Sequence, residues 1–238
     1  VQVIFEERVP VLAVGLGNPA PYVPRARELG IKVIALVGNV KNARRVAEAG
    51  VDIVVAQGTE AGGHTGRVGT MALVPQVVDA VRPIPVLAAG GIGDGRGLAA
   101  ALCLGAQGAW VGTAFIPTRE SGADPIQKQR ILEATEEDTL VTRMWSGKTM
   151  RNVSSPLMQA WEARNLPALP MGLQGLLVAD LILAARQAGR EDLLMNPAGQ
   201  VAGMLRELRS AAEVLQEMVD GAVHVLRQQV PGMVTFST

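Results

Sequence analysis

The first 115 residues alternate between unbroken apolar runs and stretches whose apolar positions recur every three or four residues. The runs are VPVLAVGL (9–16), IKVIALV (31–37), VDIVVAQ (51–57), IPVLAAG (84–90) and GAWVGTAF (108–115). Runs this apolar predict strands covered on both faces. The stretches between them read as helices with recognisable ends. Asn39 is placed to cap a helix over VKNARRVAEA, with Gly50 in the left-handed closing position, and Asp94 stands likewise before GRGLAAALCL, closed by Gly105. Strands alternating with helices of this length predict right-handed βαβ units around a parallel sheet. An open dinucleotide-binding sheet would carry GxGxxG in its first strand–helix turn. Here the glycines cluster late, at the ends of several strands, where a barrel builds its site. The predicted fold class is therefore α/β, a TIM (β/α)8-type barrel. Five strands are readable, and the barrel's first three are not found in the chain.

Beyond residue 117 the pattern changes. Asp124-Pro125 starts a helix over PIQKQRILEA, TLVTRMWSGKTMRNVSS reads as irregular or briefly extended, and prolines 167 and 170 break the helical stretch from 156 onward. This predicts a helical excursion from the barrel, shaping a lid or side wall. After AGQVAG (198–203), Ser210 and Glu213 have capping-box spacing at the head of a last helix. Its apolar positions 211, 212, 215, 218, 219 and 222 predict one buried stripe. The expected division is residues 1–120 as barrel, 121–197 as lid and 198–238 as closing helix and tail.

Composition narrows the function classes. Twenty-two basic and twenty-two acidic residues cancel, which leaves no global field for nucleic acid or an anionic membrane. No run is long and apolar enough to span a bilayer. The single cysteine, Cys103, excludes an internal disulfide framework and fits a reducing, cytoplasmic setting. It falls in an apolar helical pattern and is expected to be packed. The start at Val1 reads as a fragment or a processed product. Oligomeric state stays open, a homo-oligomer included.

The candidate chemistry lies in three glycine-rich turns. AQGTEAGGHTGR (56–67) holds His64, one of only two histidines. AAGGIGDGRG follows the strand ending at Ala89, and VGT occupies 111–113. Glycines there let backbone N–H groups approach a ligand and form an anion nest, aided by the helix start near Gly95. Gly90, Gly91, Gly112 and Thr113 together describe a phosphate cradle. Arg67, Arg96 and Arg119 read as solvated surface side chains, and His224 as structural. Glu60 either orients His64 or caps a backbone turn.

Taken as ordered motifs, EAGGHTGRVGTMALVPQVVDAV, PVLAAGGIGDGRGLAAALCLGAQGAWVGTAF, SGKTMRNVSS and AGQVAG resemble the FMN-dependent nitronate monooxygenases, also called 2-nitropropane dioxygenases. The resemblance runs through essentially the whole chain. It implies a flavin-holding (β/α)8 barrel with a smaller helical domain and FMN as cofactor. Gly91, Gly112 and Thr113 match the family's phosphate grip; Gln57, Ala61 and Gly62 match positions lining the flavin, and Gly63 is counted with them as cofactor-binding. His64 is similar to the base that takes the α-proton of a neutral nitroalkane, a task suited to an imidazole of ordinary pKa near ~6.5. Some relatives carry a basic residue where Leu36 stands or an acid in place of Gln57. Full-length relatives also place flavin contacts, an apolar-Pro-Met turn and a later Asn, in or after early strands that this chain does not show.

Three functions stay open at this point. The first is oxidation of nitronates or nitroalkanes by dioxygen, giving a carbonyl compound and nitrite. The second is flavin-dependent, NAD(P)H-using reduction of enoyl thioesters, because enoyl-acyl-carrier-protein reductases share the barrel and a similar GGH loop. The third is a non-catalytic barrel fragment that binds flavin or phosphate.

Overall fold

The computed structural model describes residues 1–233. Its strands are β1 Val11–Val14, β2 Lys32–Val37, β3 Ile53–Gln57, β4 Gly63–His64, β5 Val86–Ala89, β6 Gly108–Trp110, β7 Thr139–Thr142 and β8 Met150–Val153. The helices are α1 Gln2–Glu6, α2 Val23–Glu28, α3 Val40–Glu48, α4 Thr70–Val81, α5 Gly95–Cys103, α6 Pro125–Glu133, α7 Pro156–Ala163, α8 Leu173–Gln187, α9 Ala211–His224 and α10 Val230–Met233. The last residues of the expected tail, 234–238, lie outside the described residues.

The chain divides into two compact units. The first comprises residues 1–59, 66–90 and 98–110. Its core is a five-stranded parallel sheet in the order β1-β2-β3-β5-β6. The order never reverses, so the sheet lacks the switch point of a doubly wound fold and runs as successive strands of a barrel do. All five expected strands are present, each shorter than its apolar run. The largest difference is at β6, where the run 108–115 ends after Trp110 and residues 113–115 form a 3-10 turn. Gly112, at φ −116° and ψ −64°, takes the chain out of the extended region.

One face of the sheet is sealed. Val33, Val54 and Val86 are fully buried, as are Leu73, Val74 and Val77 of α4 and Ala43 of α3. The other face presents Ile34, Val55 and Ala89 with Leu36, Ile53 and Leu87 only partly buried beside them. Full coverage thus holds on the helical side alone. Asn39 caps α3 as expected, its Oδ1 accepting from the N–H of Asn42 at 2.8 Å, and Gly50 closes the helix at φ 85°. Gly105 closes α5 at φ 92°, and Cys103, expected to be packed, is exposed on the last turn of that helix.

The second unit comprises residues 60–65, 91–97 and 111–233 of the described chain. It contains a feature absent from the expectation, a three-stranded antiparallel sheet in the order β4-β8-β7. The segment expected to be irregular or briefly extended folds as the β7–β8 hairpin, and the two residues of β4 pair with its second strand, Gly63 opposite Arg151 and His64 opposite Met150. All four residues of β8 are buried, so no alternation marks it in the sequence. Met144, Trp145, Met150, Met158 and Val178 form the core below it. Helices α7 and α8 are separated at prolines 167 and 170 as expected.

Ser210 and Glu213 close the predicted capping box at the head of α9. The buried stripe of that helix is Val214, Met218 and Ala222, while Leu215 and Val219 are exposed, so the expected stripe is displaced. The reason is backbone contact on the 214–218–222 side. A methyl group on Gly95 would come within 2.4 Å of the Gly221 backbone, so only glycines allow that approach.

Candidate active site

Seven of the nine expected site residues belong to the second unit: Ala61, Gly62, Gly63, His64, Gly91, Gly112 and Thr113. Gln57 and Gly90 belong to the first, at the carboxyl ends of β3 and β5. There the N–H of Gly58 donates to the carbonyl of Ala89 at 2.8 Å, and the Thr70 hydroxyl donates to the carbonyl of Gly90 at 2.9 Å. Gly90 and Gly91 have φ of 88° and 73°. Two successive residues in the left-handed region explain why glycine is required twice.

In the second unit the segment 60–64 is docked on 198–200. Gln200 donates its N–H to the carbonyl of Glu60 at 3.0 Å, and Gly199 donates its N–H to the Thr113 hydroxyl oxygen at 2.9 Å. The AGQVAG motif is therefore a backbone platform joining the histidine segment to the Thr113 turn. A methyl group on Gly62 would lie 2.6 Å from the Ala198 backbone. Gly62 thus has a packing reason to be glycine that does not depend on a ligand. Gly62→Ala is expected to destabilise the protein by roughly 1–3 kcal/mol, since backbone on both sides must shift. A urea titration of the variant checks this; an unchanged midpoint would show the docking to be loose.

Gly112 differs. Among the described residues, a methyl group built on it meets no atom within 4 Å, and its φ is one any residue adopts. It is exposed, as is Gly91. Among the described residues neither its backbone N–H nor that of Gly91 takes a protein acceptor. The Thr113 side chain is buried, and its oxygen accepts from Gly199, which leaves its proton to donate.

His64 stands half-buried on β4. Its Nε2 lies 2.8 Å from the hydroxyl of Ser146, in the turn between β7 and β8. Burial, and after it the Lys148 ammonium, push the imidazole below the ordinary histidine value. Opposite Gly63, buried Arg151 donates from Nη1 to the Thr139 hydroxyl at 2.9 Å. Burial lowers the Arg151 pKa and the Glu60 carboxylate opposes that shift, so Glu60 acts electrostatically on Arg151. Arg67 is exposed, Arg96 pairs with Asp94 at 2.6 Å and Arg119 with Glu213 at 3.5 Å, all on the surface as expected; His224, expected to be structural, is exposed.

Ser146 was not among the expected site residues. It lies 82 residues from His64 in sequence. The one available signal is its place in SGKTMRNVSS, a segment that carries the family resemblance. The platform role of Gly199 was likewise hidden in a motif whose purpose is backbone approach.

The family model described as nitronate monooxygenase matches residues 1–221. A Mycobacterium tuberculosis protein whose name gives it as a monooxygenase is 44% identical over 234 residues, covering 95% of this chain and 62% of the relative. The "probable nitronate monooxygenase" of Bacillus subtilis is 39% identical over 209 residues, covering 84% of this chain and 60% of that protein. The chain thus spans about three fifths of the length of these curated relatives. Among solved structures, FabK of Thermotoga maritima superposes with a TM-score of 0.85 at 34% identity, over 98% of this chain and 74% of that one. The nitroalkane oxidase of Streptomyces ansochromogenes gives a TM-score of 0.84 at 32% identity, over 94% and 67%. With the fold, the glycine turns and the histidine segment all in place, the chain belongs to the nitronate monooxygenase family.

Proposed function

We propose that the protein binds FMN and oxidises alkyl nitronates and nitroalkanes with dioxygen. The observation that carries this reading is the pairing, within one compact unit, of glycine N–H groups that take no acceptor among the described residues with a histidine whose basic form is favoured by burial. Gly112 supports this reading most directly: among the described residues no atom fills the space beside it, and a phosphate accepts hydrogen bonds from N–H groups of this kind. Gly91 and the Thr113 hydroxyl complete the proposed phosphate grip. Ala61, Gly62 and Gly63 are proposed to border the flavin through backbone.

A bound flavin supplies the electron acceptance that lets dioxygen react with the carbon acid, the products being a carbonyl compound and nitrite. The chain's own residues supply orientation and proton transfer. The α-proton of a nitroalkane is acidic because the charge left behind spreads onto the nitro oxygens. His64 takes that proton, and a nitronate that arrives already ionised needs only to be oriented. The Lys148 ammonium near His64 favours both the neutral imidazole and an anionic substrate.

Two measurements follow. Aerobic assays of the FMN-loaded protein should release nitrite from a nitronate, and NAD(P)H should not bleach the flavin; bleaching by NAD(P)H with no nitrite would favour enoyl reduction instead. The pH profile adds the second. Protonated His64 cannot accept a proton, and burial and, after it, Lys148 hold its pKa down. For a neutral nitroalkane, kcat/KM should therefore stay level as pH falls to about 6.5 and drop only below that value. An acid limb centred above it would contradict the assignment.

A further inference from the structure

The turn between β7 and β8 carries Ser146, whose hydroxyl lies 2.8 Å from His64, and the exposed Lys148. The head of α8 is fastened to the same turn. Gln174, fully buried, donates from Nε2 to the Met144 carbonyl at 2.6 Å and accepts from the N–H of Leu169 at 2.8 Å. A methyl group on Gly147 would overlap the Leu169 carbonyl oxygen and lie 2.8 Å from Pro170, so the backbone of 169–171 rests directly on the turn. This fastened backbone leaves its apolar side chains uncovered: Leu169, Met171 and Leu173 are 43%, 54% and 56% exposed. Leu176 and Leu177, also exposed, continue from Leu173 at i+3 and i+4 on one face of α8, whose covered side is Gln174, Val178 and Ala185. Contiguous exposed apolar surface of this kind marks a ligand or partner site.

We propose that this strip receives the alkyl tail of the substrate, so that the preferred substrates are amphiphilic carbon acids with a nitro head at His64 and Lys148 and a long unbranched tail on Leu169, Met171 and Leu173. The strip begins where residues 169–171 touch the turn, so a chain leaving the head group meets it at once. From Leu166 to Ala179 the sequence has no charged residue, which suits hydrocarbon and offers nothing to a second polar group. A strip of five side chains is also far short of the roughly 20–30 residues a side that a stable protein interface uses. The inference rests on the reading of His64 as the base, and its test reads the tail without reference to turnover.

Straight-chain carboxylates are unreactive planar oxyanions with the charge of a nitronate. Calorimetric titrations of the full chain, FMN present, with butanoate and with octanoate therefore measure what the tail contributes. Full burial of a methylene is worth about fourfold in affinity, and an open strip covering one side of the chain about twofold. Octanoate is expected to bind roughly 15-fold tighter than butanoate, and kcat/KM for 1-nitrooctane to exceed that for 1-nitrobutane by a similar factor. The double variant Met171→Ser/Leu173→Ser, at two exposed positions, should lose most of this preference. Leu183→Ser, further along α8 and similarly exposed, should keep it. Equal affinity for the two carboxylates, or a preference that the double variant retains, overturns the proposal. So does a wild-type dimer that the double variant turns into a monomer on gel filtration, which would give the strip to a second copy of the chain. If no nitronate yields nitrite while octanoate is still preferred, the proposed function falls and the tail site stands.

Discussion

His64→Ala is expected to lower turnover of a neutral nitroalkane by about 10²- to 10⁴-fold while the protein keeps its flavin. The size follows from the task. Removing a proton from carbon requires a base at the carbon, and water is a poor substitute at neutral pH. His64 is suited to the work because burial and, after it, Lys148 push its pKa below the ordinary histidine value, which favours the basic form. The flavin should stay because its proposed phosphate grip lies in Gly91, Gly112 and Thr113 and makes no use of the imidazole. The loss should shrink to a few-fold with a preformed nitronate, which carries no proton to remove. Steady-state nitrite release with the two substrate forms measures this. Equal losses on both would make His64 an orienting or structural group, and no loss would remove it from the reaction.

Gly112→Asp is expected to weaken flavin binding sharply without unfolding the protein. The new Cβ enters open space, so the substitution displaces no protein atom nearby. Its carboxylate would instead stand where a phosphate is proposed to lie. Two like charges about 4 Å apart at an effective dielectric near 20 repel by about 4 kcal/mol, and every 1.4 kcal/mol is tenfold in affinity. The expected weakening of FMN binding is therefore on the order of 10³-fold. Flavin content after gel filtration and the urea midpoint of the flavin-free protein report the two halves separately. Retained flavin would place the phosphate elsewhere. A lowered midpoint would mean that Gly112 serves the fold.

How much of this could be read from residues alone depends on how local each cause is. The parallel sheet was legible because its strands are apolar runs bounded by glycine at helix ends, and Asn39, Asp124 and Ser210 announce their helices through their own neighbours. The antiparallel sheet was not. A two-residue strand such as β4 has no period, and the four buried residues of β8 show none. The stripe of α9 failed for a related reason. Apolar Leu215 and Val219 look like core, but the contact of Gly221 with Gly95 decides which side of the helix is covered. In the candidate site, His64 stood out through its glycine setting, whereas Ser146 reaches it only through the pairing of β4 with β8. Gly62 and Gly112 look equivalent in sequence. In the fold the first meets backbone and the second meets open space.

Flavin binding, as proposed, turns on the N–H groups of Gly91 and Gly112 receiving its phosphate. An amide-resolved NMR titration with FMN, repeated with riboflavin, tests that claim directly. The predicted result is tight binding of FMN with large shifts at the Gly91 and Gly112 amides, and weak binding of riboflavin that leaves both amides in place. Equal affinity for the two flavins, with the two glycine amides unmoved by either, would contradict it.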